Sequence, residues 1–473
     1  MSRTLLWFRN DLRTVDHPAL AAAAAAKSGS QASESGIGNV DAERLGASTL
    51  MPLVVFPERL FGDTSFGFAK TGPYRARFLV QSVAALRDEL RRLGSDLLVV
   101  RGQPHTIIAA LAERFAITRL CFQDEPGTEE AEEVGRVMQA LCELETRSGQ
   151  SVQSVPHAAA TLYHPDDLPF PPNDIPRVYS NFRRAVEKHT CIRRSLPAPA
   201  ALPPLPAPMG ELEAAADAIA GVQVGLPAAT ELARVALPPP DPRAAIHPTG
   251  GQPAALDRLH TWIWKRDRLR SYKKTRNGLL GEDYSSKLSP WLANGSLSPR
   301  TIFAEVIRYE AAREKNNSTY WLVFELIWRD YFAFLARTYP REIFQTSGPK
   351  GCRYAWRTDW DAFGRWRSGN TGQPFIDANM REIAASGYMS NRGRQNVASY
   401  LARDLRINWL LGAEYFESLL VDYDPASNYG NWTYHAGVGT DPRPNRYFDP
   451  ARQAQKYDGS GLYRQVWLGD AEP

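Results

Sequence analysis

A carboxylate and two large aromatic rings share one spacing in TYWLVFELIWRDYFAFLARTYP, residues 319–340. Glu325, Trp328 and Phe332 stand at i, i+3 and i+7, which puts them on one face of a helix. A carboxylate among aromatic rings costs free energy unless it has a partner. The face is therefore either a plain helix edge, with Glu325 paired to an arginine such as Arg329, or a wall for a flat ligand. In SNRGRQNVASYLARDLRINWLLG (390–412), Asn391, Arg392 and Arg394 stand at a helix start. Amides and guanidinium groups there hold anions, although capping and a solvated charge cluster use the same residues. In VDYDPASNYGNWTYHAG (421–437), Asp422, Asp424, Asn428, Gly430, Asn431, Trp432 and Tyr434 crowd a stretch that reads as a loop. Gly430 would let a ligand approach the backbone closely. YSSKLSPWLANGSLSPR (284–300) offers Ser285, Ser286, Lys287 and Ser289. Hydroxyls, amides and one lysine suit a diphosphate, and serines also cap helices.

The elements that must position these residues fall into two groups. Residues 4–9, 49–56, 96–100, 119–122 and 151–155 read as strands. Helices are expected at 72–93, 104–115 and 128–147, with a further one starting in DHPALAAAAAA. Strands alternating with helices imply a parallel sheet covered on both faces, so the fold class is an α/β, doubly wound, Rossmann-like domain over 1–160. Residues 27–48 read as a surface insertion. No GxGxxG follows the first strand and no P-loop occurs, so a dinucleotide-binding fold would lack its phosphate cradle. Residues 196–253 hold 13 of the 35 prolines, which makes 161–255 an extended connector. Beyond it the pattern is helical at 255–271, 299–315, 319–338, 374–386, 391–411 and 412–421. A helical domain over 256–473 follows.

Length and composition set outer bounds. The 473 residues carry a hydrophobic fraction of 43%, which excludes a mostly disordered chain. No apolar run is long enough to span a membrane, and the N-terminus does not read as a secretory signal. Four cysteines without a CxxC pair argue against a disulfide framework or structural zinc and suit a reducing, intracellular setting. No metal site is visible. The net charge of +4 hides an asymmetry: residues 255–473 hold 31 Lys+Arg against 24 Asp+Glu, and eleven of the twelve tryptophans. That half reads as a Trp-using core, or as an aromatic site beside a surface for a polyanion.

The motifs WLANGSLSPR, FELIWRDYF, TGQPFIDANMRE, MSNRGRQNVASYLARDL and GAEYFESLLVDYDPASNYGNW occur in series. LLWFRNDLRTVDHPAL precedes them, IPRVYSNFRRAVE lies at 175–187, and FDP and GLYRQVWLGD close the chain. In these motifs the sequence resembles the photolyase/cryptochrome flavoproteins, most closely their cryptochrome DASH branch. The likeness covers both domains and is weakest in 27–48 and 196–253.

The resemblance implies FAD in the helical domain. Tyr272, Ser285, Ser286, Lys287, Leu288 and Ser289 match cofactor-holding positions, as do Asp422, Tyr423 and Asp424. Arg394 would pair with Asp422 beside the flavin, and Asn428 would face flavin N5. Trp432, Trp409 and Trp356 match an electron-relay triad. Glu325, Trp328, Arg329, Asn391 and Arg392 match the pocket for a cyclobutane pyrimidine dimer flipped from its strand. Tyr434 stands where many duplex-repair relatives carry a second Trp, and Gln395 where they often carry Met. A smaller ring offsets less of the cost of opening a duplex, so the implied substrate is chiefly single-stranded DNA, with RNA left open. The implied antenna is 5,10-methenyltetrahydrofolate, contacted by Glu125. The expected activity is light-driven dimer repair by a monomer. The alternative is a blue-light photoreceptor, against which the absence of a long tail after Pro473 leans. Without the resemblance, an unrelated flavoprotein or a nucleotide-dependent ligase would remain.

Overall fold

Successive residues of β1 (Arg3–Phe8) point into two different apolar cores, as the period-2 geometry of a strand requires. Leu6 and Phe8 join Leu50, Val54 and Phe56 on one face. Leu5 and Trp7 join Met51, Leu53 and Val55 on the other. A strand buried on both faces must be apolar throughout, which is why TLLWF and TLMPLVVF carry no polar alternation. The computed structural model describes residues 2–25, 48–443 and 446–469. Nearly all of the insertion expected at 27–48 lies outside them.

The sheet is completed by β2 (Thr49–Pro57), β3 (Leu98–Gly102), β4 (Arg119–Gln123), β5 (Gln153–His157) and β6 (Gln223–Val224). Its order is β5-β4-β1-β2-β3-β6, parallel except for β6, which pairs antiparallel with β3. Helices Pro73–Arg92, Pro104–Arg114 and Thr128–Ser148 supply the crossovers. The fold class expected from the sequence is the one observed: an α/β sheet domain followed by a helical one.

The Pro-rich stretch departs from its reading as extended chain. It contains the helices Met209–Asp217 and Ala229–Ala233, and its strand β6 closes one sheet edge. Leu212 and Ala216 of the first helix are buried against the sheet core. Alternation over so short a strand leaves no periodic signal, and the proline count conceals it.

The helical part is built around Asn317–Thr338, which packs against Pro425–Ala436. Two boundaries differ from the sequence reading. The helix expected over 391–411 runs Asn391–Ser399, continues as a wider turn through Asp404, and breaks where Arg406 adopts φ +52°. A new helix, Trp409–Leu419, starts after Asn408, whose side chain accepts from the amide of Leu410 at 3.1 Å. The crowded stretch 421–437 is a helix, Pro425–Ala436, rather than a loop, N-capped by Asp424. Gly430 serves packing and not ligand approach, because a Cβ there would lie 2.3 Å from the Phe332 ring.

The two parts meet through buried polar groups. Asp16, fully buried, pairs with Arg300 at 2.9 Å and accepts from Ser298. Arg13 donates to the carbonyls of Gly295 and Ala159 at 2.9 and 3.0 Å. Gly295 has φ +70°, and a Cβ there would collide with the Asn10 carbonyl. The loop after β1 leaves the sheet between β1 and β4, where open α/β sheets usually take ligands. Here the helical part packs onto that loop. Among the described residues, no helix is long and apolar enough to cross a membrane and no cluster of three His, Cys, Asp or Glu could hold a metal ion.

Candidate functional site

The helix Asn317–Thr338, the turn at 284–289 and the helices at 391–399 and 425–436 enclose a cavity with two adjoining lobes of about 470 and 220 Å³. Volumes of this order hold organic ligands. Glu325, Trp328, Tyr434 and Lys287 line the larger lobe, and Asp422, Asp424, Asn428 and Trp432 line the smaller. Asn391, Gln395, Ser289 and His435 face both. Residues scattered over more than 150 positions are thus brought together.

In the larger lobe Glu325 pairs with Arg276 at 2.8 Å, not with Arg329. Its side chain stays 26% exposed toward the cavity, and burial raises its carboxyl above the usual range while Arg276 opposes the rise. Arg329 donates to the carbonyls of Ala160 and Leu292, so it braces the wall between the two domains. Trp328 is backed on one face by Tyr179, stacked at 3.5 Å and 10°. Tyr434 meets it edge-on at 5.8 Å, and the Tyr434 hydroxyl accepts from Arg446 at 3.0 Å. Arg392 donates to Gln395 Oε1 at 2.7 Å and Asn277 Oδ1 at 2.9 Å, and lies over the Tyr457 ring. Asn391 is exposed at the mouth.

Lys287 is the most constrained residue of the cavity. It is 2% exposed with φ +54°, and its Nζ has no hydrogen-bond partner among the described residues. The ammonium sits 3.1 Å from the Tyr284 ring centroid. Burial drives its pKa well below the ordinary lysine range, with Arg258 adding repulsion. An orphaned buried cation is costly unless an anion completes it. Ser285, Ser286, Leu288 and Ser289 line the lobe beside it, and Tyr272 forms a buried wall edge-on to Trp262.

In the smaller lobe one guanidinium nitrogen of Arg394 reaches both oxygens of Asp422, at 3.0 and 2.8 Å. Burial disfavours the charge on Arg394, but Asp422 outweighs it and the net shift is upward. Asn428 donates through Nδ2 to the Ala413 carbonyl at 3.0 Å, which leaves its Oδ1 as an acceptor. Asp424 is committed to its helix cap, and Tyr423 packs its ring under Arg75.

Trp432 (2% exposed) lines the smaller lobe and meets Phe416 edge-on at 5.1 Å. Trp409 is fully buried, and Trp356 is half-buried beside the exposed Tyr354. Glu125 lines neither lobe. Its carboxylate accepts from Asn10 N at 2.8 Å, from Asn10 Nδ2 at 3.2 Å and from Gln123 Nε2 at 3.3 Å.

Comparison with known proteins bears on what this cavity holds. A family described as the FAD binding domain of DNA photolyase matches residues 321–472, and one described as DNA photolyase matches residues 4–207. Cryptochrome DASH of Gloeobacter violaceus is 46% identical over 468 residues, covering 98% of this chain and 85% of that one. This chain belongs to the photolyase/cryptochrome family, in its cryptochrome DASH branch. The chloroplastic/mitochondrial cryptochrome DASH of Oryza sativa is 43% identical over 98% of this chain and 76% of its own. The crystal structure of a Synechocystis cryptochrome superposes with a TM-score of 0.87 at 40% identity, covering 99% of this chain and 89% of that one. A class III photolyase from Agrobacterium tumefaciens gives 0.75 at 27%, covering 99% and 86%.

An FAD-binding domain is therefore present, and the orphaned Lys287 ammonium fits a diphosphate. Sequence reading missed Arg276, Tyr388, His435 and Arg446, all of which line the cavity. Arg276 and Arg446 lie outside the quoted motifs, whereas Tyr388 and His435 lie beside or within them and have residue types that an ordinary core also uses.

Proposed function

We propose that this photolyase-like flavoprotein opens cyclobutane pyrimidine dimers under blue light, chiefly in single-stranded DNA. The observation that carries the reading is Glu325, 26% exposed with its carboxyl raised by burial, in the lobe that it shares with Lys287 and that adjoins the Asp422–Asn428 wall. Reduced FAD, when bound and excited, supplies the electron that splits the ring and recovers it afterwards.

The chain's own residues act around that transfer. Lys287 and the serines at 285, 286 and 289 would hold the diphosphate. Arg394 and Asp422 would lie beside the flavin, with Asn428 Oδ1 free to accept from it. Trp328, stiffened by Tyr179, offers a stacking surface to the flipped pyrimidines. Glu325 in its protonated form donates a hydrogen bond to the dimer carbonyl that gains charge. Arg392 and Asn391 meet the strand at the mouth. Arg329 is assigned a bracing role. Tyr434 is held by Arg446 and is smaller than an indole, so less stacking offsets the few kcal/mol (~) needed to open a duplex.

Trp356, Trp409 and Trp432 would refill the flavin with electrons from the surface. That relay would equally serve a photoreceptor, which is the second reading. The folate antenna would require Glu125 to release Asn10, and a folate-like absorption band lost in Glu125→Gln would support it. A light-dependent repair assay on single-stranded and duplex dimers tests the main proposal. Faster repair of the single strand is expected. Equal rates overturn the strand preference, and no repair beside normal flavin photoreduction favours the photoreceptor.

A further inference from the structure

His435 is a buried polar side chain that the residue roles above leave unused. It is 4% exposed and stands on the helix Pro425–Ala436, one position after Tyr434. Its imidazole faces both lobes of the cavity, at the junction of the Glu325–Trp328 wall and the Asp422–Asn428 wall. The ring is gripped edge-on by Tyr434 at 5.8 Å and Phe448 at 5.6 Å. Those contacts fix its plane, yet Nδ1 is buried and has no hydrogen-bond partner among the described residues. Burial, with Arg446 adding repulsion, lowers its pKa to about 3, so the ring is neutral at any ordinary pH.

A buried, immobilised and unpaired ring nitrogen carries a desolvation cost, which a pocket residue recovers when a ligand supplies the missing partner. A neutral imidazole presents one N–H donor and one bare nitrogen acceptor. The unpaired Nδ1 can meet one ligand atom, a donor if it is bare or an acceptor if it carries the proton, and the edge of a nitrogen heterocycle offers both. A charged group is a poor match, since the cationic side chains lining the two lobes are Arg276, Lys287, Arg329, Arg394 and Arg446 and not this ring.

We propose that His435 hydrogen-bonds the edge of the nitrogen heterocycle at the junction of the two lobes and thereby helps set substrate or cofactor position. This rests on the assignment of one lobe to flavin and the other to the lesion. Two rings could occupy that place, a flipped pyrimidine and a ring of FAD, and both carry the required edge.

The experiment uses the FAD-loaded protein, with His435→Phe to keep a ring without polar atoms and His435→Asn to restore an amide near the Nδ1 position. One arm measures FAD affinity by flavin fluorescence. The other measures dark binding of a single-stranded oligonucleotide with one thymine dimer, against the same strand undamaged. His435→Phe is expected to weaken one of these about tenfold, with His435→Asn recovering most of the loss. Weaker dimer binding at unchanged FAD affinity assigns the contact to the base, and weaker FAD affinity assigns it to the cofactor. No change in either arm overturns the proposal, as does an equal loss in both variants accompanied by a lower melting temperature. If the parent protein binds damaged and undamaged strands alike, the lesion assignment itself fails, and the FAD arm still decides the role of His435.

Discussion

The indole N–H groups of Trp356 and Trp409 both donate to one acceptor, the carbonyl oxygen of Thr346, at 3.3 and 3.2 Å. That shared oxygen ties a half-buried ring at the surface to a fully buried one, although the residues lie on different segments. Trp432 lines the smaller lobe of the cavity.

Replacement of the middle ring should therefore separate photochemistry from cofactor binding. Trp409→Phe and Trp432→Phe are expected to retain FAD and to slow its blue-light reduction several-fold with an external reductant. The loss of buried volume should cost about 1–3 kcal/mol in each. Flavin absorbance under illumination checks the first point and denaturant titration the second. Unaltered photoreduction in both variants would remove the relay assignment.

Lys287 predicts opposite signs in the free and loaded protein. Lys287→Met removes a buried amine that has no hydrogen-bond partner among the described residues, so the cofactor-free chain should gain about 1–2 kcal/mol. FAD affinity should fall by at least about tenfold, because a charge-assisted contact worth ~1.5–3 kcal/mol is lost. Melting curves with and without FAD give both numbers. A parallel loss in both states would make Lys287 a structural residue.

Glu325→Gln keeps shape and a donor, whereas Glu325→Ala leaves Arg276 without its 2.8 Å partner. Glu325→Ala is expected to lower dimer repair far more than FAD content, and Glu325→Gln to retain part of the activity. Single-turnover repair and the flavin-to-protein absorbance ratio check this. Equal falls in repair and FAD content would mean that the carboxylate only supports the wall.

Glu382 makes stability depend on pH in a defined direction. Burial pushes its carboxyl up to about 7, with the Tyr463 hydroxyl at 2.7 Å and Lys287 opposing the rise. The folded state then binds a proton between about pH 4.5 and 7 that the unfolded chain has released. Its contribution is complete below that window and declines as pH rises through it, by about 3 kcal/mol at most. Glu382→Gln should flatten the slope of unfolding free energy between pH 5 and 8. A slope identical to that of the parent would remove Glu382 as its source.

Much of the fold was legible. TLLWF and TLMPLVVF are apolar on both faces because the sheet is covered on both sides, and that pattern survives in one dimension. The helix carrying Glu325 and Trp328 was legible for the same reason. The stretch 421–437 was not, because Asp, Asn and Gly have low helix propensity and the helix depends on packing against Asn317–Thr338, Trp409–Leu419 and Asn391–Ser399. Strand β6 was hidden because two residues carry no period.

Which chemical groups are present is written in the residues alone: an acidic and aromatic helix face, one lysine among serines, and tryptophans crowded into one half. These follow from residue type and short spacing. Tertiary structure alone decided the pairings, since they depend on distances between residues far apart in the chain. It gave Glu325 to Arg276 instead of Arg329, turned Arg329 into a brace, brought Trp356 and Trp409 to one carbonyl, and left Lys287 Nζ and His435 Nδ1 buried without hydrogen-bond partners among the described residues. Those unpaired groups mark the site, because burial makes an unmatched polar atom costly only once the surrounding chain has excluded water.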